Sequence, residues 1–587
     1  MEILLDNQAF KIVGNLIPER VTVPLIAQVG SGDIEDKDFT GASRETWVDL
    51  RGGIGLKKGR ASEGRVWWSE GLTYLKDFVT LGPLVSIAGA FAVADPRIID
   101  FGGGTYAYAH NKIAKWNTGT SAWDTKKADF ANPTDAVIYT DDSGTYLCIC
   151  NGANIIYSAD GETWTALDPA EVVSKLAVFE RCLRGINSAG TSFRDSPVGD
   201  IDGTWGGFKL YEDYSQVNDL FAGKLVSDGS PILYITTPEG LWAINPWSMF
   251  AAKQDINFAL GANAGKAGAY WNAKVWIASG AGLATQDNNG ADLDAGPNAD
   301  DGLPSGFQGH IADILNLTRW IIVALDGGAN NKSSIFRKHC TIGNWQQIYT
   351  TSEVNKSIKH LHFSPSTLYS PGRLWFSEGT DVKYLPFPDD TDDITEVSGY
   401  TYTATGYDIL PVFDYLPLVP KIALAVEAIT KDCTATEKIT ISYRINDNVD
   451  WTELGSFTTS PAPNPLTFGD SAGLEFYSIQ FKRTFARGGT NTNRPILEKM
   501  SLIYYPAPDP LLAWQFIVME TGDDSQAKLS LLKTTMEKKV RIKFSPDGDY
   551  NKSAYWVVAE DRPFDRTMER SKLEGTMTCR IKQIYGH

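Results

Sequence analysis

Between Arg65 and Pro388 the chain repeats one arrangement of apolar and polar positions. Short segments alternate at a period of two, each closed by a turn rich in Gly, Asn or Asp. That period is the signature of half-buried strands, whereas an amphipathic helix would place apolar residues every three or four positions. The clearest copy runs from Thr145 to Leu167. It reads as two strands, a tight turn at Asp160-Gly161 and a further strand opened by Trp164. An Asp-Gly pair between alternating runs is a strong local hairpin signal.

Eight central strands line up, marked by Trp67, Ala107, Leu147, Leu183, Leu233, Trp276, Ile322 and Trp375, and spaced 36 to 53 residues apart. Small turns and second strands follow at Lys112-Ile-Ala-Lys-Trp, Ile155-Ile-Tyr-Ser, Gly240-Leu-Trp-Ala-Ile and Val382-Lys-Tyr-Leu. Several strands per unit at such a period predict a β-propeller, whose sheets bury their faces only by stacking on one another. Arg65-Val-Trp-Trp-Ser-Glu-Gly and Arg373-Leu-Trp-Phe-Ser-Glu-Gly are near copies at opposite ends. A ring must join its ends, so strands from both may share one blade. Seven blades are expected, with eight the next count.

The pattern divides the chain into four parts. Residues 1–60 read as an N-terminal arm or extended segment, with strands at Lys11-Ile-Val-Gly and from Arg20, and loops at Gly30-Ser-Gly-Asp and Arg51-Gly-Gly-Ile-Gly. Residues 61–393 form the propeller, ending where Pro386-Phe-Pro-Asp-Asp-Thr-Asp-Asp breaks the repeat. Alternating strands at Lys421, Lys438, Glu475 and Ile496 predict an antiparallel β-sandwich over 394–508. Tyr504-Tyr-Pro-Ala-Pro-Asp-Pro reads as a stiff linker. Residues 509–587 then form a small α+β docking module. Its helix is capped near Asp523-Asp-Ser, with Leu529, Leu532 and Met536 on one face. The fold class is therefore mainly β.

Charge narrows the partners. The chain of 587 residues carries a formal net charge of −17, and no Lys/Arg cluster suits a phosphate backbone, which argues against nucleic acid and against an anionic membrane face. Mean hydropathy is −0.21. The longest nearly uncharged apolar stretch, Leu84 to Ala94, is short for a membrane span, so no membrane insertion is expected. The first residues, Met-Glu-Ile-Leu-Leu-Asp, lack the basic start of a signal peptide. The six cysteines, Cys148, Cys150, Cys182, Cys340, Cys433 and Cys579, show no CxxC spacing and read as free thiols.

Candidate chemistry is sparse. The stretch from Ser279 to Gly302 is acidic, and Asp287, Asp292 and Asp294 are its calcium candidates, alongside Asp300 and Asp301. The EF-hand spacing fails there, and a solvated loop is the simpler reading, so no cofactor is expected beyond that calcium candidate. His360 and His362 flank one residue of a strand and face the same way, as ordinary strand residues do. No Gly-x-Ser-x-Gly elbow, P-loop or dinucleotide fingerprint occurs. No catalytic residue is assigned.

Ser158-Ala-Asp-Gly-Glu-Thr-Trp164 resembles the Asp-box turn of sialidases and other propellers, with one residue missing. Ser158, Asp160, Gly161 and Trp164 are read as a structural turn, Asp160 accepting backbone N–H groups and Trp164 packing between strands. A sialidase would also need three clustered arginines, for which Arg97, Arg184, Arg319 and Arg373 qualify by type alone. The order of arm, propeller, sandwich and docking module resembles structural proteins of tailed bacteriophages. So do phrases such as Ile441-Ser-Tyr-Arg-Ile-Asn-Asp-Asn-Val-Asp-Trp-Thr-Glu-Leu-Gly. The resemblance implies a virion component, tail-associated, assembled in the host cytoplasm as a homo-oligomer. Its implied partners are other virion proteins and a host-surface glycan. Two other classes remain open: a carbohydrate-active propeller enzyme with a sugar-binding sandwich, and an intracellular interaction scaffold.

Overall fold

The computed structural model describes residues 2–13, 16, 18–21, 43–55 and 64–583, apart from 188, 210–216, 246–249, 258–260, 300–301, 342–343, 416, 418, 470–472, 507–510, 522–523, 538–541, 553, 560–565 and 569–573. It is built almost wholly of antiparallel strands, with propeller-like sheets and a single α-helix among the described residues.

Seven four-stranded antiparallel sheets follow one another in the sequence. The first contains Arg97–Phe101, Gly104–Ala109, Lys112–Asn117 and Ala122–Lys127. The sixth contains His310–Asn316, Trp320–Asp326, Ser334–His339 and Gln346–Thr350. In each of these seven sheets the first strand neighbours the first strand of the next, and that of the seventh, Leu361–Ser364, returns to Arg97–Phe101. Ser364 Oγ donates to Asp100 Oδ1 at 2.9 Å across this return. Ser86–Ala90, from before the first sheet, is the outer strand of the seventh, pairing with Asp381–Pro386. The ends of the ring thus share a sheet, as expected for a closed circle.

Burial is deepest in the second strands and falls toward the outer edge of each sheet. The second strand Gly104–Ala109 is buried along its whole length, because sheets cover both of its faces. The outer strand Gly290–Asp292 is exposed throughout. Tight turns connect the inner strands. At Glu180-Arg181 and Asn272-Ala273 both central residues take positive φ, the hand that matches strand twist in a two-residue hairpin.

One reading of the sequence needs correction. Arg65-Val-Trp-Trp-Ser does not begin the repeat. Trp68–Glu70 pairs with Thr405–Ile409 in a five-stranded sheet that also holds Lys438–Ile445, Thr452–Phe457 and Ile479–Ala486. A second sheet joins Lys421–Lys431, Ile496–Pro506, Val79–Leu81 and Leu72–Tyr74, with Ser43–Trp47 along Ile496–Pro506. Alternation marks any strand with one covered face, so it could not tell these strands from the ring. The two sheets share a core in which Phe481 and Phe485 meet Met500 and Leu502, and Trp47 packs edge-on against Phe481 at 5.6 Å. That core continues without a break into Trp276, Val323 and Phe336 of the fifth and sixth sheets. A fully buried Arg483–Asp408 ion pair, which also accepts Tyr74 Oη at 3.0 Å, sits inside it.

The span 1–60 is divided between two places. Ser43–Trp47 belongs to the sheets just described, whereas Glu2–Leu5, Gln8–Val13 and Pro18–Val21 join the C-terminal strands. The loop at Gly30 lies outside the described residues. The chain forms two compact units, one of them from the described residues of Met1–Glu35, Leu418–Lys421 and Pro506–His587. In that unit Leu511–Thr521, Gln8–Val13, Glu2–Leu5, Ile542–Ser545, Tyr555–Ala559 and Glu574–Gln583 pair in sequence, and the last pairs back with the first. Such closure leaves no free edge among these six strands. The helix Ser525–Glu537 buries Leu529, Leu532 and Met536 against Phe10, Trp514 and Phe544. These are the three apolar positions predicted to share a face. Tyr504 to Pro506, read as linker, is the end of a strand. No described helix is long and apolar enough to cross a membrane.

Candidate functional site: the charged mouth of the ring

The first strands of the seven sheets all run the same way, so their opening residues gather at one end of the ring axis. In the first four sheets those residues are charged. Arg97, Asp135, Lys175 and Asp219 open the first four sheets, and His360 stands just before the seventh. Asp313 follows a register shift in the first strand of the sixth, and this bulge brings it into the same group. All six are half-buried.

Each carboxylate reaches across to the next sheet. Asp135 Oδ2 accepts Leu176 N–H at 2.9 Å, Asp219 Oδ2 accepts Gly268 N–H at 3.1 Å, and Asp313 Oδ2 accepts Leu361 N–H at 2.7 Å. The cations close two more of the seven gaps. Arg97 Nη1 lies 3.3 Å from Asp135 Oδ1, and Lys175 Nζ lies 3.4 Å from Asp219 Oδ1. Side chains therefore join neighbouring first strands, which share no ladder of their own.

The crowding shifts the acids and the imidazole. Burial pushes Asp313 up to about 6, backbone N–H groups of Leu361 and Ile314 pull against that, and Asp219 adds to the rise. Burial raises Asp219 also, with Lys175 opposing. Burial and the nearby Arg97, Lys175 and Lys359 hold His360 neutral. For Arg97 burial works against the charge, and Tyr108, Asp135, Asp313 and Asp219 outweigh it. A carboxyl titrating near 6 in a confined site suits general acid work. Here both Asp313 oxygens already accept backbone N–H groups, Oδ1 from Ile314 at 2.9 Å. What the mouth does chemically is bind its own sheets together.

The residues singled out in the sequence lie elsewhere, or do something else. Asp160 Oδ1 accepts Glu162 N–H at 2.8 Å and Thr163 N–H at 2.7 Å, and Ser158 Oγ accepts Gly161 N–H at 2.8 Å. These backbone bonds hold the Asp160 carboxyl down at about 2. Gly161 sits at φ +74°, and a Cβ there would meet Tyr106 Oη at 1.9 Å, so the turn needs glycine. Trp164 is partly buried against the core that holds Tyr106. Asp287 is ion-paired with Lys274 at 2.7 Å, and Asp292 Oδ1 accepts Asp294 N–H at 3.0 Å. Among the described residues no group of three or more His, Cys, Asp or Glu is arranged to hold a metal. Asp300 and Asp301 lie outside the described residues. His362 Nε2 lies 3.2 Å from Asp100 Oδ2. Of the four arginines, Arg97 alone reaches the mouth. Arg184 is buried between Phe179 and Phe193. Arg319 pairs with Asp392. Arg373 lies 4.2 Å over both Tyr369 and Tyr384. The six cysteines form no disulfide.

Sequence reasoning missed the mouth. The signal was there, since Arg97, Asp135, Lys175 and Asp219 each stand immediately before an alternating run. It becomes visible only once the strand starts are superposed.

No family model and no curated protein matches the chain. Among solved structures it is similar to the extracellular domain of a one component system from B. thetaiotaomicron, at 10% identity and a TM-score of 0.37, covering 79% of this chain and 60% of that one. It is also similar to a chain of the mitotic checkpoint complex, at 13% identity and a TM-score of 0.36, covering 52% of this chain and 95% of that one. The chain thus spans less than two thirds of the length of the first of these.

Proposed function

We propose that the chain is a structural component of a bacteriophage virion, tail-associated. In this reading a seven-bladed propeller and an antiparallel sandwich form a rigid platform. The unit built from both chain ends docks onto neighbouring subunits of a homo-oligomer, other virion proteins or the host surface. The observation that carries the reading is the unbroken core running from Phe481 and Met500 into Trp276 and Phe336. A platform needs such a core, because packed interiors transmit load without yielding. The engaged carboxylates of the mouth point the same way, since each is committed to holding sheets together rather than left open for a substrate.

Quantitative mass spectrometry of purified particles tests the proposal. The expected result is this chain in the particle at a copy number matching the tail's rotational symmetry. Abundance in the lysate without incorporation into particles would overturn it.

A further inference from the structure

A cavity of about 260 Å³ lies where the sixth sheet of the ring meets the hairpin Leu72–Leu81. Its wall is set by register. Trp320 stands opposite His339, and Arg337 stands opposite Gln346. Arg337 and His339, two apart on one strand, face the same side. Arg51, Lys76, Asp77, Asp392 and Asp393 complete the charged lining, so any preference for an acid rests on the enclosed Arg337 rather than on the net charge of the wall.

The polar groups here are unevenly matched. Arg337 is only 9% exposed, lies 4.4 Å over the Trp320 ring, and donates from Nε to Gln346 Oε1 at 3.3 Å. No carboxylate among the described residues lies within ion-pair distance of its guanidinium. His339, also 9% exposed, accepts Thr341 N–H on Nδ1 at 3.3 Å, which leaves the proton of the neutral ring on Nε2. Nε2 has no hydrogen-bond partner, its nearest acid being Asp392 Oδ2 at 3.6 Å. Asp392 pairs with Arg319 through Oδ2, and its buried Oδ1 accepts nothing. A buried cation with its terminal NH₂ groups unmatched, an unpaired N–H donor and an unpaired carboxylate acceptor therefore share one cavity. Buried polar groups are normally paired, and exceptions mark sites that something else completes.

We propose that this cavity binds a small hydroxylated carboxylate, an acidic monosaccharide of the uronic type. The planar guanidinium of Arg337 takes the carboxylate in a two-point grip, which Lys76 at the rim strengthens by charge. His339 Nε2–H donates to a ring or hydroxyl oxygen, and Asp392 Oδ1 accepts a hydroxyl proton. The volume lies just below the roughly 300–1,000 Å³ of ordinary small-molecule sites, which selects a single sugar unit rather than a chain. Nothing in this inference depends on the assembly role proposed above.

Titration of the full chain with galacturonate and with galactose, followed by ligand-observed NMR, tests it. Saturable binding of galacturonate is expected, with galactose at least tenfold weaker. Arg337→Met should lose at least tenfold, and Lys76→Glu, an exposed change that leaves the melting temperature alone, about threefold. A glycan ending in a uronate forms the second arm. Tighter binding of that glycan assigns the end of a surface polysaccharide, and binding of the free acid alone assigns a diffusible metabolite. Absence of saturable galacturonate binding, equal affinity for galactose, or unchanged affinity in both variants each overturns the proposal.

Discussion

Charge gathers at two places in the ring, and they are built on opposite terms. At the axial mouth every carboxylate finds an N–H of the next sheet, and both arginine and lysine find a carboxylate. At the cavity beside the sixth sheet Arg337 is more deeply enclosed than the half-buried cations of the mouth, yet no carboxylate answers it. The first arrangement is a set of joints. The second is an arrangement left open, because enclosing a guanidinium without a counter-charge is unfavourable unless another group offsets it. Burial alone therefore does not separate structural charge from binding charge, whereas the completeness of the partner set does.

Removing charged groups tests that distinction. The largest effect belongs to the fully enclosed Arg483–Asp408 pair. Arg483→Met strands a buried carboxylate and should cost about 3–5 kcal/mol, measured by denaturant unfolding. Asp135→Ala comes next. It leaves Leu176 N–H and Arg97 unmatched and should cost about 1–3 kcal/mol. A comparable loss of about 1–3 kcal/mol is expected for Gly161→Ala, through positive φ and the Tyr106 collision. The smallest effect is expected at the open site. Arg337→Met replaces an unanswered cation by an apolar chain of similar length and should stay within about 1 kcal/mol of the parent. A loss as large as that of Arg483→Met would erase the contrast between the two places.

Acidity sharpens the same comparison. Asp313 holds its proton to about 6 when folded, against roughly 4 in an unfolded chain. The native state then binds more protons across that window, so stability falls as pH rises from about 4 to about 6. Asp313→Asn keeps an acceptor for Leu361 N–H and removes the charge. The variant should match or exceed the parent at pH 8 and converge with it at pH 4. A deficit at pH 8 would show that ionised Asp313 is a net contributor to the mouth.

What could be read from the sequence was what is local. Seven of the eight marker residues sit in the second strands of the seven sheets, because each strand announces itself by alternation and its own turns. The helix face of Leu529, Leu532 and Met536 was legible for the same reason. The Asp160 turn was too, its bonds spanning three residues at most. Trp67 misled because Arg65-Val-Trp-Trp-Ser alternates like a ring strand, while its start pairs with Gly53–Ile54 and Trp68–Glu70 pairs with Thr405–Ile409. The cavity was invisible. Arg51, Lys76, the Arg337–His339 pair and Asp392 come from four stretches, each unremarkable by itself, and only the pairing of distant strands brings them to one wall. Arg319 looked like a substrate-binding candidate by type, and its carboxylate partner Asp392 lies 73 positions away.

The strand Ser86–Ala90 has a consequence for biogenesis. Its partner Asp381–Pro386 leaves the ribosome only after roughly 300 further residues, about 15–60 s at ordinary translation speeds of 5–20 residues per second. Gln8–Val13 waits longer still, for Leu511–Thr521. The two closures are nested, the outer one enclosing the inner. A nascent chain therefore carries two strands with an unclaimed edge through most of its synthesis. The pairing of Gln8–Val13 with Leu511–Thr521 is thus a late step, one that a chaperone able to shield bare strand edges would protect.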